Sequence, residues 1–305
     1  MRKLPNFLII GAAKSGTTSL YHYLNEHPQI YMSNIQEPKF FSFINQDRLD
    51  LQGIGDKAAN SHIVRHLEDY YPLFFGHSTE IAIGESSPCY LYYEHTAQNI
   101  HQILPDAKII IILRNPAERA YSNFLHLVSS GRERLYDFGQ ALDAENDRIQ
   151  NGWEYFWHYK NQGFYYQKLQ PYLTRFDRNN IKIVLYEDYE IQNNVVLAEI
   201  FAFLGVDQTF VSNLDNRYNV THFPVSKLLN QFLSQSFPMK SIVKKLIPTP
   251  LRHFALNQIH SLNSTQKKPP FKTDLRKKLI DEYSEDILNL QDLLQRDLSS
   301  WLTTE

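Results

Sequence analysis

The 305-residue chain is 43% hydrophobic, enough to bury a large core, and its 31 basic and 33 acidic residues leave a formal net charge of −2. That balance excludes bulk electrostatic binding to nucleic acid or an anionic membrane, so any anion site has to be local. A single cysteine, Cys89, rules out an internal disulfide, fits a reducing compartment, and reads as a buried filler.

The N-terminus has no apolar stretch of signal-peptide type and enters a strand at once. Phe7-Leu8-Ile9-Ile10 is a short continuous apolar run of the kind buried on both faces of a sheet, and it ends at Gly11. A small-residue loop, 12–18, leads into a helix over 19–26 that stops at His27-Pro28. Residues 44–80 are polar and mixed, an excursion over the active-site edge. A second strand, 81–84, ends at Glu85-Ser86-Ser87-Pro88, and a helix over 97–104 stops at Pro105. The strongest strand, 108–113, ends at Arg114-Asn115-Pro116, and the helix 118–130 after it is terminated by Gly131. A helix over 164–176, a strand over 181–186 and a helix over 194–204 follow. Residues 206–270 read as a partly helical cap, and 274–301 as an amphipathic helix or helix pair packed on the sheet. The apolar run 109–113 is far shorter than the ~20 residues that span a bilayer, and the chain is expected to be cytoplasmic.

Strands alternating with helices predict an α/β fold: a P-loop-like parallel sheet flanked by helices on both faces, with a helical cap. One domain is expected over 1–305, with its core at about 5–205 and the cap and C-terminal helices at about 206–305. In such sheets ligands bind beyond the carboxyl ends of the strands. Lys14, Glu85, Arg114 and Glu187 all follow predicted strand ends, so they are expected to converge on one edge.

The segment Gly11-x-x-Lys14-Ser15-Gly16-Thr17-Thr18 stands between strand and helix, where unpaired N–H groups and the helix dipole favour an anion. Thr17, Thr18 and Ser19 add hydroxyl donors, and Lys14 adds a full charge. The pattern departs from an ATP-binding P-loop, which needs Gly-Lys-Ser/Thr at its end. Here Thr17 follows Gly16, and the lysine has moved back into the loop. From that position it is better placed to reach the bridge between a 5′-phosphate and the group it carries.

A second anion site follows the strongest strand. Arg114 supplies a planar fork, and Ser122, eight residues on and inside the next helix, supplies a neutral donor. Asn115 and Pro116 suit a helix entry as N-cap and first helical residue. Arg119 reads as structural or solvated. Two separated anion sites at one edge imply a ligand with two separated phosphates, such as a bisphosphorylated adenosine.

These stretches resemble the sulfotransferases that use 3′-phosphoadenosine 5′-phosphosulfate (PAPS). Phe7 to Ser19 is similar to their 5′-phosphosulfate loop, and Ile111 to Ser122 to their 3′-phosphate motif. Glu37-Pro38-Lys39-Phe40-Phe41, Gly84-Glu85-Ser86-Ser87-Pro88-x-Tyr90, Gly163-x-Tyr165 and the strand to Tyr186-Glu187-Asp188 resemble the heparan-sulfate and bacterial branch. The resemblance covers about residues 5–230, with a weaker echo to Trp301. Vertebrate Golgi members carry a membrane anchor and a cysteine pair; this sequence has neither and looks more like a bacterial member.

The resemblance implies sulfuryl transfer from PAPS to a hydroxyl or amine by in-line displacement, leaving adenosine 3′,5′-bisphosphate. It implies no metal, and no His/Cys/Asp set stands at ligand spacing. It assigns Lys14, Ser15, Gly16, Thr17, Thr18, Ser19, Arg114, Ser122 and Tyr165 to the nucleotide. Lys14 would stabilise charge on the leaving oxygen, and Glu85 would be the base that takes the acceptor's proton. His126, one turn past Ser122, and His22 are the alternatives for that base. Lys39 is a candidate to orient the sulfuryl group or acceptor. Arg217, His222 and Lys227 lie in a loop that in relatives touches the 3′-phosphate, though their Lys-Gly-Arg form is missing here. Trp153, Tyr155, Phe156, Trp157 and Tyr159 either line an acceptor cleft or form a core patch. Carbohydrate, lipid, polyketide and small alcohol acceptors stay open. The rival readings are a P-loop kinase or NTPase, and an inactive PAPS-binding protein.

Overall fold

The computed structural model describes residues 4–46, 48–214, 223–224, 264–265 and 269–304. Continuous apolar runs become strands shielded on both faces. β1 (Phe7–Gly11), β2 (Ile30–Met32), β3 (Ala82–Ser86), β4 (Lys108–Leu113) and β5 (Ile181–Leu185) form one parallel sheet in the order β2-β3-β1-β4-β5. Side chains alternate across it. Phe7, Ile9, Ile110 and Ile112 meet the helices α1 (Thr17–Asn25) and α5 (Asn193–Leu204) on one face. Leu8, Ile10, Ile109 and Ile111 meet α2 (Glu94–Ile103), α3 (Pro116–Ser129), α4 (Tyr165–Leu173) and α6 (Thr273–Leu294) on the other. Each of these β4 isoleucines is fully buried, a burial worth about 1.5–3 kcal/mol per side chain.

The expected strand–helix order holds, with ends shifted by one to three residues. β2 is the addition: it has three residues, too few for a periodic signal, and it pairs with β3 from Ile30 opposite Ala82. The long C-terminal helix runs to Leu294, and a short 3-10 turn, Ser299–Leu302, follows it. α6 packs on α4 and caps it from outside: Asp286 accepts from the backbone N–H of Tyr166 at 2.9 Å and of Gln167 at 3.3 Å. Among the described residues no helix is long and apolar enough to cross a membrane.

The topology makes the crevice. Neighbouring strands β1 and β4 send their following helices to opposite faces, α1 to one and α3 to the other. The loops at their carboxyl ends therefore part, and a cleft opens at the switch point.

Candidate active site

Two turns build the cleft. The first runs from β1 into α1. Gly16 takes φ 92°, and a Cβ there would stand 3.3 Å from the Tyr189 ring, so both conformation and space ask for glycine. No side chain caps α1, which leaves its first-turn N–H groups directed at the cleft for a ligand. Lys14 itself has φ 67°, a left-handed conformation that a lysine rarely adopts and that functional loops tend to hold. The second turn runs from β4 into α3. Asn115 caps the helix as expected, its Oδ1 accepting from the N–H of Ala117 at 3.0 Å and of Glu118 at 3.2 Å, with Pro116 in first position. Glu187 fixes the corner by accepting from the Asn115 N–H at 3.1 Å. Arg114 is held over the Tyr186 ring, 4.6 Å from its centroid, and donates to the Lys14 carbonyl at 3.3 Å. The two turns are thus tied together.

Between them lies a cleft of about 650 Å³. Lys14, Gly16, Thr17, Thr18 and Ser19 line one side, and Arg114, Ser122 and His126 line the other. Ser122 and His126 stand four residues apart on α3 and so share a face. Of the four strand-end residues expected to converge, Lys14 and Arg114 line the cleft, whereas Glu85 and Glu187 do not.

The charges in the cleft act on one another. Burial, then the neighbouring Arg114, lowers the Lys14 ammonium to about 8. Arg114 works against the charge on Lys14, and the Glu37 carboxylate partly offsets it. At neutral pH Lys14 is still mostly charged, and its Nζ lies 3.4 Å from His126 Nδ1. Burial, then the charge on Lys14, lowers His126 to about 3, so its ring is neutral. Nδ1 then accepts from Lys14, and the ring proton sits on Nε2. That arrangement orients Lys14 and leaves His126 a poor proton acceptor.

Other expected residues fall elsewhere. Ser15 is fully buried, and its Oγ has no partner among the described residues. Tyr165 is also fully buried and does not line the cleft; its hydroxyl donates to the Arg114 carbonyl at 2.9 Å, bracing the second turn from behind. Glu85 departs most from expectation. It pairs with Leu8 across the sheet, three residues before Gly11, so it sits about 10 Å below the loop. Its carboxyl is fully buried and enclosed by hydroxyl donors: Tyr90 at 2.5 Å, Ser87 at 2.8 Å and Tyr70 at 3.2 Å. It does not line the cleft.

Burial outweighs those hydroxyls and raises Glu85 to about 7. A carboxyl raised in the folded state favours folding in its protonated form. Its contribution is full below the unfolded value near 4.5 and is lost as pH rises through about 7. The melting temperature of the wild type relative to Glu85→Gln is therefore expected to fall between pH 5 and pH 8. A constant difference across that range would contradict the buried-acid reading.

Arg119 is a buried structural cation, donating to Asn123 Oδ1 at 3.0 Å, to Gln162 Oε1 at 3.3 Å and to the Tyr159 carbonyl. His22 lies on α1 outside the cleft. Of the aromatic cluster, Tyr155, Trp157 and Tyr159 are core, and Phe156 alone reaches the cleft. Lys39 is buried and locked to Asn60 Oδ1 at 2.8 Å and Glu154 Oε1 at 3.2 Å. Arg217, His222 and Lys227 lie outside the described residues.

One residue was quoted in the sequence without a role. Glu37 lines the cleft on the Lys14 side and keeps about a third of its side chain open. Its φ is 56°, again left-handed, and its N–H donates at 3.1 Å to the carbonyl of Ser86, the last residue of β3. The signal available was its place in Glu37-Pro38-Lys39-Phe40-Phe41: a carboxylate just before a proline and a buried Phe-Phe pair that anchors it.

A parallel sheet with a P-loop-like turn and two neighbouring cations at the switch point defines an α/β protein of P-loop-like class. Within that class the chain belongs to the sulfotransferase family, whose sulfotransferase domain it matches over residues 4–231. It is 32% identical to a solved sulfotransferase from Alicyclobacillus acidocaldarius, with 99% of this chain and 100% of that chain covered and a TM-score of 0.78. It is also 26% identical over 258 residues to carbohydrate sulfotransferase 15 of Mus musculus, covering 68% of this chain and 44% of the relative. Over 212 residues it is 28% identical to bifunctional heparan sulfate N-deacetylase/N-sulfotransferase 2 of Homo sapiens, covering 67% of this chain and 22% of the relative. The chain thus spans less than half the length of either of these two proteins.

Proposed function

We propose that the chain transfers a sulfuryl group from PAPS to a hydroxyl or amine acceptor in the cleft between Lys14 and Arg114. The observation that carries this reading is the meeting in one cleft of Lys14 and Arg114, each just past its own strand. The residues suit the nucleotide: two cations close together, an uncapped helix N-terminus, and a buried Ser15 hydroxyl that has no partner among the described residues. PAPS supplies an activated sulfuryl group on a bisphosphorylated adenosine.

Arg114 and Ser122 hold the 3′-phosphate by a guanidinium fork and a hydroxyl. The α1 N-terminus, with Thr17, Thr18 and Ser19, holds the 5′ side. The acceptor oxygen or nitrogen bonds to sulfur as the sulfur–oxygen bond to the 5′-phosphate breaks. Lys14, steadied by His126, meets the charge that grows on the leaving oxygen. Glu37 takes the acceptor's proton, since it is a carboxylate open to the cleft, whereas Glu85 is sealed from it. We also infer a reducing, cytoplasmic setting, on the ground that the sole thiol, Cys89, is free and buried.

The test is mass spectrometry of an extract incubated with purified protein and sulfur-labelled PAPS. A product heavier by one labelled sulfuryl group is expected. Nucleotide binding without any sulfated product would support a binding protein instead.

A further inference from the structure

Beside the cleft lies a second, polar groove of about 280 Å³. The two share Thr18, Glu37 and Phe156, so a molecule seated in the groove ends against the transfer site. Both cations of its wall are already committed. Lys39 is held by Asn60 and Glu154. Arg132 donates to Glu154 Oε2 at 3.3 Å and to the fully buried Asp56. Asp56 in turn accepts from Trp157 Nε1 at 2.7 Å and from the Glu154 N–H at 3.0 Å, which fixes the wall in place. Three carboxylates, Asp56, Glu154 and Glu37, thus face two cations. Within the groove wall the surplus negative charge falls on Glu37, which has Lys39 at 3.8 Å; Lys14 acts on it from the cleft side and, in the sulfuryl-transfer reading, is engaged there by the donor.

We propose, resting on the sulfuryl-transfer reading, that this groove takes an uncharged polyhydroxylated acceptor and turns away anionic ones. A sugar ring without carboxylate or sulfate fits the chemistry. Its hydroxyls donate to the Glu37 carboxylate and exchange hydrogen bonds with Gln36, and its apolar face lies on the half-buried Phe156 ring. That ring is steadied edge-on by His126 at a centroid distance of 5.5 Å. A carboxylate or sulfate on the acceptor would instead meet Glu37 with no uncommitted cation in the described wall to receive it. Two like charges about 4 Å apart near a protein surface repel strongly enough to cost about tenfold or more in binding.

The test compares transfer from PAPS to methyl glucoside and to methyl glucuronide, which differ only in a hydroxymethyl against a carboxylate. Rates for the two sugars are taken under identical conditions. The glucoside is expected to have a kcat/KM at least about tenfold higher. His62 is exposed on the groove rim. The variant His62→Lys adds a cation there and is expected to narrow the gap to roughly threefold, by raising the glucuronide rate at unchanged affinity for adenosine 3′,5′-bisphosphate. Equal rates in the wild type, or a preference for the glucuronide, overturn the proposal. So does failure to sulfate either sugar by a protein that binds the nucleotide and sulfates some other compound. A protein that does not bind adenosine 3′,5′-bisphosphate at all overturns the sulfuryl-transfer reading, and the proposal falls with it.

Discussion

Lys14→Ala is expected to lower kcat for sulfuryl transfer by about 10²–10³-fold, the usual loss when one preorganised donor to a developing charge is removed. Affinity for adenosine 3′,5′-bisphosphate should fall by only roughly tenfold, the scale of one charge-assisted hydrogen bond. The difference arises because charge on the leaving oxygen grows during the step. A cation held beside it, in a cleft where burial and Arg114 already strain its protonation, contributes more there than in the bound ground state. Steady-state rates and calorimetric titration of the same variant separate the two quantities. Unchanged turnover would remove Lys14 from the leaving-group role.

Glu37→Gln should lower kcat by about 10²–10⁴-fold, the range for loss of a positioned base. Nucleotide binding should hold, because the substitution keeps the shape and removes only the proton-accepting charge. Glu85→Gln should leave transfer within about threefold, because its carboxyl is enclosed by Tyr70, Ser87 and Tyr90 and acts on stability. The pair discriminates cleanly. If Glu85→Gln abolishes transfer and Glu37→Gln does not, the base is the buried carboxyl, and the cleft has to open to reach it.

The sheet was legible because its strands are buried on both faces and so are written as unbroken apolar runs, as in 7–10 and 109–113. The two turns that line the cleft were legible because glycine, lysine and arginine stand just past the apolar strand runs. The distinction between Glu85 and Glu37 was not. Both are carboxylates beside a proline-containing turn near a strand end. What separates them is depth: register opposite Leu8 sinks Glu85 into the core, while a left-handed backbone lifts Glu37 to the rim. Register across a sheet is a tertiary fact that no local pattern carries. Tyr165 failed to reach the cleft for a related reason. The resemblance assigned it to the nucleotide, but its hydroxyl points at the Arg114 carbonyl behind the guanidinium. The groove beside the cleft depends on Asp56, Arg132 and Glu154, drawn from three separate stretches of chain, and no spacing in the sequence joins them.

The measurement closest to the central claim is a calorimetric titration of wild type and Arg114→Ala with adenosine 3′,5′-bisphosphate and with adenosine 5′-phosphate. Two anion sites in one cleft predict that the wild type binds the bisphosphate more tightly by about 10–100-fold, and that Arg114→Ala erases most of this difference while leaving adenosine 5′-phosphate nearly unaffected. Equal wild-type affinity for the two nucleotides, or an equal loss for both in the variant, would contradict it.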